Sequence, residues 1–245
     1  MCVAAVAWDC HPDLLVVAIA NRDEFHERPT APLARWSDAA DVIAGRDLRG
    51  GGTWLGVSEA GHFALLTNFR DPQGFAHGRP SRGAVVTDLL AGRTPARMDA
   101  MNPLNAFHAA AGGARFLTNH PERLDQPLPG GIHGLSNGPF AAPWPKTAQL
   151  CSDLGIWLSG DDRDIEPLFA ALRAERPRPA DPAPMHAPEP DYAPVFIANP
   201  RYGTRCSTVV TITRGGSGQI AERSFDAAAN PVDTRRIAFR WPAPG

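Results

Sequence analysis

Residues 2–24 read CVAAVAWDCHPDLLVVAIANRDE. Two apolar runs of strand length, Val3 to Trp8 and Leu14 to Ala20, flank Asp9-Cys10-His11-Pro12-Asp13, which is rich in turn formers. The stretch predicts a β-hairpin starting at residue 2 or 3, so the first residues belong to a sheet and not to a loose tail. In an antiparallel pair the end of the second strand lies beside the start of the first. The polar tetrad Asn21-Arg22-Asp23-Glu24 is therefore expected to end the second strand next to Cys2.

Working outward, a second hairpin is plain. Thr53 to Val57 and His62 to Thr67 flank Ser58-Glu59-Ala60-Gly61, and the outgoing strand stops at Asn68. Between the hairpins, Arg28-Pro29-Thr30-Ala31-Pro32 reads as a loop. Gly50-Gly51-Gly52 is not followed by the GK[ST] of a phosphate loop and precedes a strand, so these glycines are read as structural. Apolar spacing predicts helices over Ala84–Ala91, Pro103–Ala111, Lys146–Leu154 and Asp164–Glu175. Short strands are expected at Ala114–Thr118 and Ile132–Leu135. The chain then returns to β at Val195–Ala198, Cys206–Thr213, Gln219–Phe225 and Arg236–Phe239. Strands, then helices, then strands again imply an α+β fold with antiparallel sheet layered against helices, and not the alternating pattern of a doubly wound fold.

Composition agrees. The 245 residues carry 23 glycines and 25 prolines, about one residue in five, which favours short elements and turns over a helical bundle. One domain over 1–245 is expected, with a proline-rich loop at 177–194. The formal charge of −2, with no Lys/Arg-rich run, argues against nucleic acid as a partner. The longest early apolar run, Leu14 to Ala20, has seven residues where a membrane span needs about 20. Cys2, Cys10, Cys151 and Cys206 have neither CxxC nor zinc-type spacing, so no metal site is expected and the thiols read as reduced. A soluble, cytoplasmic protein is the expectation.

Cys2 is the first candidate for chemistry. Methionine removal before this small residue would expose an α-amine on the residue that carries the thiol, combining nucleophile and base. Arg22 is placed to lower the thiol pKa, and Asp23 or Glu24 to bind the ammonium. Asn68 and Asn137 both end apolar runs, where an amide can meet a developing oxyanion.

The stretches MCVAAVAW, HPDLLVVAIANRDEFHERPTAP, AGRDLRGGGTWLGVSEAGHFALLTNFRDP, SRG at 81–83, GIHGLSNGPFAAPWPK and YGTRCSTVV, in this order from residue 2 to about 225, resemble the NRDE family, also called the transport-and-Golgi-organisation-2 family. That family is similar in turn to N-terminal nucleophile hydrolases and, within them, to cysteine amidases that cleave penicillin V and conjugated bile salts. The resemblance implies a four-layer αββα sandwich of two antiparallel sheets, Cys2 as nucleophile, Asn68 and Asn137 as oxyanion donors and Arg205 as a site arginine. The amidases carry arginine and, three positions later, aspartate, where this chain has Asn21 and Glu24, so the carboxylate stays open between Asp23 and Glu24. Trp54, Trp144 and Lys146, the only lysine, are candidate ligand contacts, the last for an anionic ligand.

The function implied is an amidohydrolase-like protein for a small amide or acyl ligand, without a resident cofactor. The alternative is a non-catalytic carrier of haem or an acyl-CoA-like lipid, because metazoan relatives are linked to haem trafficking and lipid homeostasis. A haem cargo would need an axial ligand, for which His11, His62, His77 and His120 are the candidates.

Overall fold

The computed structural model describes residues 2–71, 73–176 and 193–242. Of the proline-rich stretch expected at 177–194, residues 177–192 lie outside the described residues. In chain order the strands are β1 (Cys2–Trp8), β2 (Leu14–Phe25), β3 (Thr30–Arg35), β4 (Val42–Asp47), β5 (Leu55–Ser58), β6 (His62–Asn68), β7 (Leu104–Ala110), β8 (Gly113–Thr118), β9 (Leu124–Leu128), β10 (Gly131–Leu135), β11 (Tyr202–Thr213), β12 (Ser217–Phe225) and β13 (Pro231–Arg240). Among the described residues the helices are α1 (Gly83–Leu90), α2 (Pro145–Leu158) and α3 (Glu166–Leu172), with a 3-10 turn at Met98–Ala100.

Two antiparallel sheets result. The first has the order β10-β1-β2-β11-β12-β13 and the second β3-β4-β5-β6-β7-β8-β9. Alternation along β1 shows how they stack. Ala4, Val6 and Trp8 join Phe63, Leu65 and Phe107 of the second sheet in a core between the sheets. Val3, Ala5 and Ala7 point the other way and pack with Leu150, Leu154 and Trp157 of α2 and Leu168, Phe169 and Leu172 of α3. On the far side, Ala64, Leu66, Ala106 and Leu117 cover Val85, Val86, Leu89 and Leu90 of α1. Three apolar seams between four layers give the αββα sandwich. Among the described residues no helix is long and apolar enough to cross a membrane.

The opening hairpin forms where its sequence predicts. Asp9, at φ +47°, turns the chain, and its N–H donates to Leu15 O at 2.9 Å. The Gly50–Gly52 run is structural too: a Cβ on Gly52 would lie 2.5 Å from the Gly83 carbonyl carbon, so only glycine lets this loop touch the start of α1.

Four expectations are corrected. The helix expected at Pro103–Ala111 is β7, because Leu104 and Ala106 face α1 while Phe107 and Ala109 face the other sheet, a period of two that overrides the alanine content. The loop at Arg28–Pro32 continues into edge strand β3, which tolerates Pro32 at a bulge between Ala31 and Ala34. Val195–Ala198 is not a strand: Phe196 N–H donates to Ala174 O (2.9 Å) and Ile197 N–H to the Thr204 hydroxyl (3.0 Å), so no ladder forms. Finally, β2 does not end at the polar tetrad but runs through it to Phe25.

Candidate active site

That last correction builds the site. Within β2 the tetrad is paired on both sides: Arg22 with Cys2 of β1 and Cys206 of β11, Asn21 with Val3 and Ser207, and Asp23 with Thr204. Cross-strand partners share a face, so Cys2, Arg22 and Cys206 form one row facing the second sheet. The β1–β10 pairing ends at Ala4 with Leu135, and Asn137 follows two residues later in the loop after β10, where its carbonyl accepts the Arg70 N–H at 2.8 Å. Strand alternation sends Asn21 and Asp23 to the opposite, helix-covered face.

On the inter-sheet face Arg22 is buried. Its guanidinium donates to Thr30 Oγ1 at 3.0 Å and lies over the Trp54 ring, 4.3 Å from the centroid. Trp54 in turn lies on Gly45, where a Cβ would stand 2.4 Å from the ring. Beside Arg22, Cys206 and Glu222 are both buried. Burial and the Glu222 charge push the Cys206 thiol well above its ordinary value, which makes it a poor nucleophile. Glu222 accepts the Leu33 N–H from the second sheet at 2.8 Å; burial raises its pKa, and that hydrogen bond opposes the rise. Cys2 is less buried as a residue than Cys206, although its thiol lies inside. Burial raises it and Asp23 adds to the rise, whereas the Asp23 N–H and the Arg22 charge pull it down.

On the helix-covered face, Asn21 Nδ2 donates to Leu172 O (2.8 Å) and Val195 O (2.9 Å), and Ser207 donates to Asn21 Oδ1 (2.6 Å). These bonds dock α3 and its outgoing chain on the sheet, so Asn21 is structural. Asp23 is buried and accepts from the Thr204 hydroxyl at 2.7 Å. Burial raises its pKa; the Lys146 charge is the largest influence holding it down. Glu24 sits apart, half-buried, with an oxygen 3.6 Å from Arg28 and another accepting the Phe25 N–H. Of the two carboxylates left open by the sequence, Asp23 is the buried one, and its charge raises the Cys2 thiol.

Asn68 and Asn137 are brought together: one amide N–H of Asn137 donates to the Asn68 backbone carbonyl at 2.6 Å, while Asn137 Oδ1 is buried without a partner. Along β6, Thr67 points between the sheets, and its hydroxyl donates to Ser136 O at 2.5 Å. Asn68 therefore reaches the site through its backbone. Asn105 of β7 donates to Gly138 O at 2.9 Å, a second tie holding the 136–138 loop against the other sheet.

Arg205 donates to the carbonyls of Phe25, His26 and Arg28 and so fixes the turn after β2. Trp144 is buried against Gly138, where a Cβ would stand 2.4 Å from Nε1. Lys146, expected to meet an anionic ligand, is instead fully buried on the first turn of α2. Burial lowers its pKa, and the charges of Asp23 and Cys2 oppose that. Arg82, the N-cap residue of α1, was not singled out as a site residue, although its SRG stretch was part of the resemblance. Burial lowers its pKa, the charges of Cys2 and Glu24 raise it, and its guanidinium donates to Pro103 O at 3.2 Å. Thr67, Asn105, Thr204, Cys206 and Glu222 were missed as well, since each is ordinary in sequence and acquires its position through strand pairing.

The four histidines named for haem lie elsewhere. His11 accepts two backbone N–H groups of its own turn, His62 stacks on His108, His77 lies against Phe75 and His120 against Phe69. Among the described residues no group of three or more His, Cys, Asp or Glu side chains is arranged to hold a metal ion. A surface groove of about 370 Å³ between α2 and α3 shares no lining residue with the Cys2 row.

Comparison with known proteins identifies the family and the fold. The family described as "Transport and Golgi organisation 2" matches residues 1–227. The chain is 30% identical over 266 residues to "Transport and Golgi organization protein 2 homolog" of Bos taurus, covering 92% of this chain and 93% of the relative. It is 29% identical over 279 residues to the Homo sapiens protein of the same description, covering 98% and 99%. Among solved structures it is similar to a penicillin V acylase from Agrobacterium tumefaciens, with TM-score 0.53, 12% identity and coverage of 96% of this chain and 85% of that one. A Caenorhabditis elegans orthologue of N-acylethanolamine-hydrolysing acid amidase is matched at TM-score 0.48 and 12% identity, covering 84% and 91%. The acylase likeness shows the fold, that of the N-terminal nucleophile hydrolases.

Proposed function

This chain belongs to the Transport and Golgi organisation 2 family, and from that premise we propose that it is a cysteine hydrolase of the N-terminal nucleophile type acting on a small amide or acyl ligand. The observation that carries the reading is the pairing of Cys2 with Arg22, with Asp23 buried on the other face of the same strand: a thiol at the first position of an interior strand, beside a buried cation and a buried carboxyl, with Asn137 in the loop that follows the strand paired to β1.

Once Met1 is removed, the α-amine of Cys2 takes the thiol proton as the sulfur attacks the ligand carbonyl. The C=O electron pair moves to oxygen, and the second amide N–H of Asn137 meets that oxyanion. The ammonium, held by Asp23, then protonates the leaving amine as the C–N bond breaks, leaving a thioester on Cys2. Water, deprotonated by the same amine, cleaves the thioester and restores the thiol. Arg22, Arg82 and Arg205 keep the cleft positive. Trp54 fixes the Arg22 guanidinium rather than offering a free face, and Glu24 pairs with Arg28 at the rim.

A second reading, a non-catalytic carrier of an acyl-CoA-like lipid or haem in the same cleft, draws support from those arginines. Among the described residues Arg22, Arg82 and Arg205 donate to hydroxyl or carbonyl oxygens and not to carboxylates, so an anionic ligand would find them available. Intact mass separates the two, read before and after a thiol-reactive acylating probe. The hydrolase reading expects loss of Met1, one added acyl group, and no labelling or amide turnover in Cys2→Ala. Retained Met1 would sink it. The haem form of the carrier reading expects a stoichiometric Soret band that survives Cys2→Ala.

A further inference from the structure

Lys146 is the one lysine of the chain, and it stands where a lysine is least favoured: at the positive end of α2 and wholly buried. Its place in the layers is fixed by its neighbours. Trp144, 6.0 Å from Nζ, rests on Gly138; Thr147 rests on Gly134, where a Cβ would be 2.4 Å from its Cγ2; and Gly134 pairs with Ala5. Lys146 therefore sits over the start of β1, on the helix-covered face of the first sheet. Asp23 points to that face, two residues after Asn21, which reaches α3 from the same side. A buried carboxyl and a buried amine thus share one face of the first sheet.

We propose that Lys146 is a positioning residue: from the helix layer it keeps Asp23 ionised and fixed behind Cys2, so that Asp23 can hold the nucleophile's amine. The role in catalysis rests on the reading of Cys2 given above; the charge pairing does not. The groups on the Asp23 side of the sheet are the Thr204 hydroxyl from β11 and Lys146 from α2, while the Arg22 charge on its own strand acts from the opposite face and Cys2 of β1 feels the Asp23 charge across the sheet. A buried carboxylate is costly unless paired, and leaving one partner of such a pair alone is worse than removing both. Lys146 acts chiefly through Asp23, the larger of the two charges it feels, the other being that of Cys2.

The test uses the full chain with Lys146→Met, Asp23→Asn and the double variant. Without the lysine, the folded pKa of Asp23 rises further above its unfolded value, so stability is present at low pH and lost as pH increases. The expected result is a melting temperature for Lys146→Met close to the parent near pH 4 and progressively below it toward pH 8, with the double variant flat. Asp23→Asn and Lys146→Met should each slow acylation of Cys2 by roughly tenfold or more, and the double variant should be no slower than either, as for residues acting as a unit. A Lys146→Met deficit that does not grow with pH, additive effects, or parent-like acylation would overturn the proposal. If Lys146→Met does not fold, recovery of a cooperative melt in the double variant supports the pairing, and its absence overturns it. Failure of the hydrolase reading is seen separately, as absence of Cys2-dependent amide turnover in the parent protein.

Discussion

The side-chain amide of Asn137 donates to the backbone carbonyl of Asn68 at 2.6 Å, joining the loop after β10 in the first sheet to the last residue of β6 in the second. This bond closes the inter-sheet cleft at the end where β1 begins. It also spends one N–H of Asn137 on architecture and leaves the other for an oxyanion. Asn137→Ala should therefore have two effects. Leaving the Asn68 carbonyl unsatisfied costs about 1–3 kcal/mol, measured by urea unfolding. Loss of the donor lowers Cys2-dependent turnover by about 10²–10³-fold.

Asp23 and Glu24 are adjacent in sequence but face opposite sides of β2, and their substitutions should separate. Asp23→Asn is expected to lower kcat/KM for a Cys2-dependent amide substrate by roughly tenfold or more, because the ammonium loses its partner. Glu24→Gln, at the rim beside Arg28, should cost no more than roughly fivefold, on the scale of an exposed ion pair. The reverse order would reassign the carboxylate.

Gly138 lies flat against the indole of Trp144, and a Cβ there would be 2.4 Å from Nε1. The ring is buried and cannot swing aside cheaply. Gly138→Ala should destabilise the fold by about 1–3 kcal/mol, as other overpacked sites do. Because the same loop carries Asn137, acylation of Cys2 should slow as well. A thermal melt with probe labelling on one sample checks both.

His62 and His108 stack across β6 and β7, with Nδ1 of the former 3.2 Å from Nε2 of the latter. Burial, with the neighbouring His62, lowers the pKa of His108 to about 4 from an ordinary 6.5. The unfolded chain thus binds a proton that the folded chain refuses, so stability falls as pH drops from 6.5 through 4. The loss is on the order of 2–3 kcal/mol. His108→Gln should flatten that acid limb, read as urea unfolding midpoints at pH 7 and pH 4.5.

The residues that alternate strictly were legible from the chain. The opening hairpin, the hairpin after Thr53 and the helix carrying Val85, Val86, Leu89 and Leu90 all appear where apolar spacing places them. Pro103–Ala111 misled because alanine suits a helix, and only the two cores on either side of β7 forced it into a strand. The tetrad misled in a more useful way. Polar residues normally end a strand, but Asn21 and Asp23 find partners in the helix layer, and Arg22 finds them between the sheets, so the ladder continues.

What the sequence by itself determined is the α+β order of elements, the position of Cys2 on the first strand and the set of residue types able to do acyl-transfer chemistry. Tertiary structure decided which of them stand together. It took strand pairing between positions some 180 residues apart to set Cys206 beside Arg22, and layer stacking to bring Lys146 into the seam that holds Asp23. Face and register are properties of paired strands, and burial decides which charge needs a partner; neither exists until the sheets have closed on one another.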